Sequence, residues 1–285
     1  MGATATALSP IFVRLSDLEP SASAFHRMFW ALPVLWLIIA VKGRTRYQAR
    51  PHSSHGSKPR RQGYASLILC GLFFTGDLIT LHWSFELTSV ANAILFLNAQ
   101  PIHVVLGAWL LFGERPTKKI LSSVIVALSG ILLMVGESAR LDVTYMVGDL
   151  LGIVAGLCYA GYILTASRLR DDWSSADINI WTVSIACPCL LATAIASDQA
   201  LQPEIWKGWI LMVSLGVISQ AVGQSLIIWG LATVGVAFSS VSLLLAPIAS
   251  AVFAWLFLSE ALTAQQLIGM AVVLVGIYFA DRSQI

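Results

Sequence analysis

The chain has 285 residues, of which 57% are hydrophobic and only 11% are charged, and its mean hydropathy is +0.79. A soluble domain carries about 25% charged residues, so this composition excludes a soluble globular protein. The formal net charge of +2 does not indicate a nucleic-acid partner. We expect membrane lipid around the protein and no nucleic acid.

Ten apolar stretches follow one another along the chain, and most are close to the roughly 20 residues that a membrane-spanning helix needs. We number them spans 1 to 10, and they cover residues 2–15, 22–41, 62–83, 90–112, 119–136, 147–167, 178–196, 207–231, 236–258 and 263–281. Span 1 is short, so we expect it either to be tilted in a thin region of bilayer or to begin upstream of Met1. The sequence therefore predicts an all-α integral membrane protein.

An internal repeat relates the two halves of the chain. Residues 91–131 align without a gap on residues 237–277, and 14 of the 41 aligned positions are identical. The identities include Pro101 with Pro247, Trp109 with Trp255, Glu114 with Glu260, Thr117 with Thr263 and Gly130 with Gly276. Apolar composition alone would not match Pro, Trp, Glu, Thr and Gly in one register. The repeat unit is five spans, residues 1–138 and then 147–282.

An odd number of spans turns the second copy upside down in the membrane, as in the inverted repeats of many transporters. The loop of residues 42–62 carries seven basic residues and no acidic one, which places it in the cytoplasm. The turn after span 4 contains Arg115, Lys118 and Lys119, whereas the matching turn after span 9 has Ala261, Ala264 and Gln265. This charge difference predicts that the two turns lie on opposite sides and that both termini are cytoplasmic.

The stretch from Gly76 to Thr117 (GDLITLHWSFELTSVANAILFLNAQP…AWLLFGERPT) resembles the first EamA repeat of the drug/metabolite transporter superfamily. Residues 148–170 and 219–263 resemble the opening and close of the second repeat. The resemblance implies ten helices in an inverted-repeat bundle. It also implies export of small metabolites, with amino acids, including aromatic ones, as the best-known cargo of the bacterial members.

Several polar residues at bilayer depth are candidates for the wall of a substrate cavity, because such residues need a partner or a function. Asp77 is either a proton or substrate-ammonium site or a structural carboxyl group. His82 either titrates or hydrogen-bonds in the wall. Polar side chains in span 4 either line the cavity or join helices. The full candidate set is Asp77, His82, Trp83, Asn92, Gln100, His103, Tyr159, Tyr162, Gln220, Gln224 and Ser242.

Other singled-out residues have structural interpretations. Pro101 and Pro247 lie in matched positions of spans 4 and 9, where each can kink or hinge its helix. Glu114 and Thr117, and Glu260 and Thr263, lie at helix ends, which favours roles in the turns. Arg14 and Arg27 are expected near the outer ends of spans 1 and 2, extended toward the interface or paired with Asp17 or Glu19.

These observations predict a secondary transporter that exports amino acids, including aromatic or hydrophobic ones, or similar small metabolites by alternating access. Efflux of drugs or other cationic compounds is the near alternative, and a receptor or an intramembrane enzyme is less favoured. We expect no enzymatic activity, cofactor or metal, and a monomer or weak dimer in the bacterial inner membrane. Proton coupling and uncoupled efflux both stay open.

Overall fold

In a computed structural model of the protein, residues 1–46, 60–135, 143–259 and 261–282 are described. Helices occupy all the predicted spans. Six spans are single helices: span 2 is Pro20–Arg46, span 3 is Arg60–Leu87, span 5 is Lys118–Val135, span 6 is Val143–Leu169, span 7 is Ser175–Ala196 and span 10 is Ala264–Asp281. Three spans are divided into two helices each: span 1 into Gly2–Thr6 and Ser9–Leu15, span 4 into Val90–Leu97 and Gln100–Phe112, and span 9 into Val236–Ser242 and Leu245–Leu258. Span 8 consists of Trp206–Ser214, the π-helix Leu215–Gln224 and Ser225–Gly230.

The all-α prediction is confirmed, and eight helical stretches in the described residues are long and apolar enough to cross a membrane. These stretches are spans 2, 3, 4, 6, 7, 8, 9 and 10. Span 1, which is interrupted at Ala7 and Leu8, and span 5 are not among them. The central part of the predicted basic loop, residues 47–59, lies outside the described residues.

Local sequence fixes where several helices begin. Ser174 and Asp177 form a capping box at the start of span 7, and Thr263 and Gln266 form one at the start of span 10. In each box the side chain of the first residue accepts a hydrogen bond from the backbone N–H of the second, and the side chain of the second accepts one from the backbone N–H of the first. Two backbone donors of the first turn are thereby paired.

Spans 4 and 9 are interrupted at repeat positions offset by one residue, at Asn98 to Ala99 and at Leu243 to Leu244, where Asn98 and Leu244 are counterparts. A proline follows each interruption, and a proline ring clashes with the carbonyl group four residues earlier. In span 4 that group is the Leu97 carbonyl. Gly156 of span 6 packs against it, because a Cβ atom at Gly156 would lie 3.3 Å from the Leu97 oxygen.

Buried apolar side chains form two main clusters. One joins spans 2, 3, 4, 6, 7 and 8 and includes Met28, Phe74 and Tyr162, while the other joins spans 4, 5, 9 and 10. Spans 5 and 10 cross closely because both carry glycine at the contact. Gly130 packs on Val273 of span 10, and Gly276 packs on Ala127 of span 5. Val273 is the repeat counterpart of Ala127, so the two contacts are reciprocal, as expected of copies related by a twofold axis.

Candidate functional site

A chain of polar side chains crosses the interior of the bundle between spans 2, 7 and 8. The Nε of Arg27 donates to the Oε1 of Gln220 at 3.0 Å, and the Nε2 of Gln220 donates to the Oδ1 of Asn179 at 3.1 Å. The Nδ2 of Asn179 donates to the Gln220 carbonyl oxygen at 3.0 Å and to the Ser225 Oγ at 2.9 Å. Because arginine can only donate, each amide has one consistent orientation.

The π-helix in span 8 supplies both glutamines of this region. Gln220 and Gln224 lie within it and are buried, and the Nε2 of Gln224 donates to the Tyr162 hydroxyl at 3.0 Å. Tyr159 lies beside Tyr162, with ring centroids 5.8 Å apart. Single π-helical turns inside α-helices are frequent at functional sites. The structure thus brings four of the predicted cavity residues together.

Asp77 of span 3 is the buried acidic residue of this region. Its side chain is only 4% exposed, and among the described residues its Oδ1 has no hydrogen-bond partner. It interacts electrostatically with Arg27, Tyr159 and Cys158. A buried carboxyl oxygen without a hydrogen-bond partner is costly in an apolar bundle.

A cavity of about 500 Å³ lies between the ends of spans 2, 3 and 7. Its lining residues are Glu19, Pro20, Ser21, His82, Trp83, Glu86, Ser197 and Gln199. Trp83 is 51% exposed, and the Nδ1 of His82 hydrogen-bonds to the Leu78 carbonyl oxygen of its own helix. His82 interacts electrostatically with both Arg27 and Glu86, so it lies between the cavity and the polar interior.

The remaining predicted cavity residues lie in span 4 or span 9. Asn92 is buried and donates from Nδ2 to the Asp149 Oδ1 at 3.2 Å, an oxygen that also accepts from Thr88 at 2.7 Å. Asn92 therefore joins spans 4 and 6. By contrast, the buried Gln100 Oε1, His103 Nδ1 and Ser242 Oγ have no hydrogen-bond partner among the described residues.

The predicted turn residues lie at helix ends. The Thr117 Oγ1 accepts from the Ile120 N–H at 3.2 Å, and Thr263 caps span 10. Glu114 does not cap a helix: its Oε1 accepts from the Arg168 Nη2 at 3.0 Å. Glu260 lies outside the described residues. Pro101 and Pro247 follow the two helix interruptions described above.

Two members of the site escaped prediction from the sequence. Arg27 was expected to reach the interface or pair with Asp17 or Glu19, but it points into the bundle, and Asp17 accepts from the Glu204 N–H at 2.6 Å instead. Asn179 was not singled out, although an amide within an apolar span is itself a signal. In the described part of the chain no group of three or more His, Cys, Asp or Glu residues is placed to hold a metal ion.

The family model described as the EamA-like transporter family matches this chain twice, over residues 1–136 and 146–280. An uncharacterised transporter of Archaeoglobus fulgidus is 29% identical over 195 residues, covering 68% of each chain. The pseudopaline exporter CntI of Pseudomonas aeruginosa is 21% identical, with 79% of this chain and 77% of that protein covered.

A probable terminal-alkyne amino-acid exporter of Streptantibioticus cattleyicolor is 24% identical, with 79% of this chain and 75% of that protein covered. One crystal structure superposes with a TM-score of 0.78 at 16% identity, covering 99% of this chain and 95% of the other, which shows a shared fold. With the family model matched over both halves, the chain belongs to the EamA-like transporter family of membrane proteins.

Proposed function

We propose that this protein is a secondary transporter that exports amino acids or similar small metabolites by alternating access. One observation carries the proposal: Arg27 and the buried Asp77 and Gln220 lie inside an apolar bundle, and His82, which interacts electrostatically with Arg27, lines a cavity. Charged side chains within membrane spans commonly mark substrate or ion pathways.

The depth of these side chains fits a transport site. Arg27 lies seven residues from the start of span 2 at Pro20, and Asp77 lies ten residues from the end of span 3 at Leu87. At 1.5 Å per residue these separations correspond to roughly 10 and 15 Å along the helices. With these helix ends at the edge of a hydrocarbon layer about 30 Å thick, Arg27 would lie about a third and Asp77 about half of the way through it.

The relatives support an export direction and a small polar cargo. Two of them are named as exporters, one of pseudopaline and one of a terminal-alkyne amino acid. We extend to this chain what the two names share, which is outward movement of a compound, and we take an amino-acid cargo from the second name alone.

The proposed membrane arrangement is two inverted five-helix repeats, with both termini and the basic loop of residues 42–62 in the cytoplasm of a bacterium. The reciprocal packing of Gly130 and Gly276 supports a twofold relation between the halves. We further propose that the interruptions before Pro101 and Pro247 let spans 4 and 9 bend during transport. The proposed oligomeric state is a monomer or weak dimer.

Efflux of cationic compounds is the second candidate function. It is favoured by the cavity lining, in which Glu19 and Glu86 are carboxylates and no lysine or arginine occurs among the described lining residues. Such an entrance attracts positive charge. A cation that reached the interior would, however, meet Arg27.

Efflux from proteoliposomes tests the proposal. Vesicles that contain the purified protein are loaded with labelled amino acids or with the cationic dye ethidium, and efflux is followed with and without a pH gradient. We expect at least one amino acid to leave faster than from protein-free vesicles. Movement of the dye alone would support the second candidate, and no movement of any compound would overturn both.

The same vesicles test proton coupling through Asp77. If Asp77 carries the proton, Asp77→Asn removes any dependence of efflux on the pH gradient while exchange continues at saturating substrate concentration. An unchanged dependence on the gradient would assign the coupling elsewhere.

A further inference from the structure

We propose that Arg27 and Asp77 together bind the charged head of a zwitterionic α-amino acid, with the guanidinium taking the carboxylate and the Asp77 carboxylate taking the ammonium group. This inference rests on the proposed transport function and specifies the chemistry that its substrate must carry. It assigns the two charges to one ligand and makes no assignment for the substrate's side chain.

The Arg27 guanidinium is held in a fixed orientation while part of it stays available. Its Nε is engaged by Gln220, which Asn179 holds in turn. Among the described residues neither terminal nitrogen of Arg27 has a hydrogen bond. The two terminal nitrogens form the planar fork that matches a carboxylate in a bidentate contact.

Asp77 provides the complementary half. Its buried Oδ1 lacks a partner within the described structure, and its charge interacts with that of Arg27. The two side chains nevertheless do not form an ion pair within 4.0 Å. Two opposite charges that attract one another across a gap can both be satisfied by a ligand carrying one charge of each sign.

Charge balance favours a zwitterion over a simple cation or anion. A cation would pair Asp77 and leave Arg27 facing a positive ligand, whereas an anion would do the reverse. Leaving one buried charge without its partner is strongly unfavourable. A zwitterion pairs both groups and adds no net charge to the bundle. The carboxylates of Glu19 and Glu86 at the cavity lie where they attract the ammonium end of such a ligand.

The test compares three probes that share one side chain and differ only in the head. The standard amino acids are first screened by ligand-induced thermal stabilisation of the detergent-solubilised protein. The strongest binder is then compared with its decarboxylated amine and its deaminated acid; for L-phenylalanine these are 2-phenylethylamine and 3-phenylpropionate. We expect the amino acid to bind at least about tenfold more tightly than either analogue, since each lost charged contact weakens binding by about that factor or more.

Substitutions assign each contact to its residue. Asp77→Asn should weaken binding of the amino acid about ten- to hundredfold and leave that of the deaminated acid nearly unchanged. Arg27→Gln should weaken binding of the amino acid to the same extent and leave that of the amine nearly unchanged. Arg27→Lys retains the charge but loses the planar fork, so we expect an intermediate loss of amino-acid affinity. This variant also tests the prediction if Arg27→Gln fails to fold.

Matched controls carry the same substitutions away from the site. Asp172→Asn lies after span 6, and Arg282→Gln removes the donor to the Tyr278 hydroxyl at the end of span 10. Both should bind the amino acid with unchanged affinity.

The outcomes separate this inference from the proposed function. It is overturned if no amino acid binds, if the amine binds as tightly as the amino acid, or if both charge-removing substitutions leave affinity unchanged. If amino acids bind and leave the vesicles but both charge-removing substitutions leave affinity unchanged, the head-group assignment fails while transport stands. If amino acids bind with the predicted pattern but are not moved, the assignment stands and the transport function fails.

Discussion

Asn179 shows how one uncharged residue can determine the geometry of a charged one. Its amide makes three hydrogen bonds, two as donor and one as acceptor, and through Gln220 it orients the Arg27 guanidinium. Buried amides in membranes stabilise helix contacts by about 0.6–2 kcal/mol per hydrogen bond. In the proposed head-group site the same bonds would also orient the cation toward its ligand.

Replacement of Asn179 by leucine tests this role. Asn179→Leu has a similar volume but leaves the Gln220 Nε2 and carbonyl oxygen without their partner, so we expect a loss of about 1–3 kcal/mol in the free energy of unfolding. A lower melting temperature in detergent and weaker substrate binding should follow. Asn98→Leu is the control, because the Asn98 side chain bonds only to the Ile94 carbonyl of its own helix. Equal losses in the two variants would contradict the account.

The spacing of three between Tyr159 and Tyr162, and of four between Gln220 and Gln224, predicts that each pair shares one face of its own helix, but not that the two pairs meet. Arg27 and Asn179 could not be placed in the same way. Span 2 has apolar residues on all sides of Arg27, so periodicity does not tell which side faces another helix. The partners of an interior side chain depend on how the helices pack.

At the scale of elements, the repeat reproduces backbone geometry as well as sequence. Gly113 ends span 4 in the left-handed region with φ of 72°, and its repeat counterpart Ser259 ends span 9 with φ of 56°. Glycine adopts this conformation freely, whereas a residue with a Cβ atom pays about 1–2 kcal/mol. The first copy thus has the favourable residue and the second does not.

Exchange of the two residue types tests this reading of the helix ends. Ser259→Gly should raise the free energy of unfolding by about 1 kcal/mol, and Gly113→Ser should lower it by a similar amount. A Cβ atom at Gly113 would meet nothing within 4 Å, so the expected loss comes from the backbone alone. Gly230→Ser is the control, because that glycine also has open space around it but lies in a helix with negative φ. An equal fall of the unfolding temperature in Gly113→Ser and Gly230→Ser would refute the backbone explanation.

The helix interruptions in spans 4 and 9 were predicted as kinks or hinges, and the structure has a break in each. Pro101→Ala restores an N–H that can pair with the Leu97 carbonyl, which should straighten span 4. If the break bends during transport, the substitution should slow exchange of substrate several-fold while leaving the equilibrium affinity unchanged. Exchange at the unaltered rate would mean that the break is a fixed feature of the fold.

The π-helix of span 8 could not be foreseen, because the sequence was interpreted with the α-helical period throughout. Gly223 lies within it and packs against span 1, where a Cβ atom would lie 2.9 Å from the Thr6 Cγ2. A stripe of glycines predicts close packing but does not reveal a change of helical period. The π-helical segment is the part of span 8 in which Gly223 contacts the short, interrupted span 1.

At the scale of the whole molecule, the two halves pack reciprocally while their charges differ. The contact of Gly130 with Val273 and that of Gly276 with Ala127 exchange the same repeat positions. Lys118, at the start of span 5, has Ala264 as its counterpart at the start of span 10. Basic residues are retained on the cytoplasmic side, so this difference predicts opposite sides for the two turns.

Cysteine labelling tests that orientation with a matched pair. In a chain whose four native cysteines are replaced, Lys118→Cys and Ala264→Cys are treated with a membrane-impermeant thiol reagent. We expect Ala264→Cys to react in intact cells and Lys118→Cys to react only in inverted vesicles. Reaction of both sites from the same side would refute the inverted arrangement.

The central claim, that the polar interior is a carrier site reached alternately from the two sides, is tested most directly by counterflow. Proteoliposomes loaded with a high concentration of an unlabelled amino acid that the protein binds are diluted into a trace of the same labelled amino acid. A carrier predicts transient accumulation of the label above its equilibrium level, and Arg27→Gln should abolish it. Entry of the label only to equilibrium, in the native protein as in protein-free vesicles, would contradict the account.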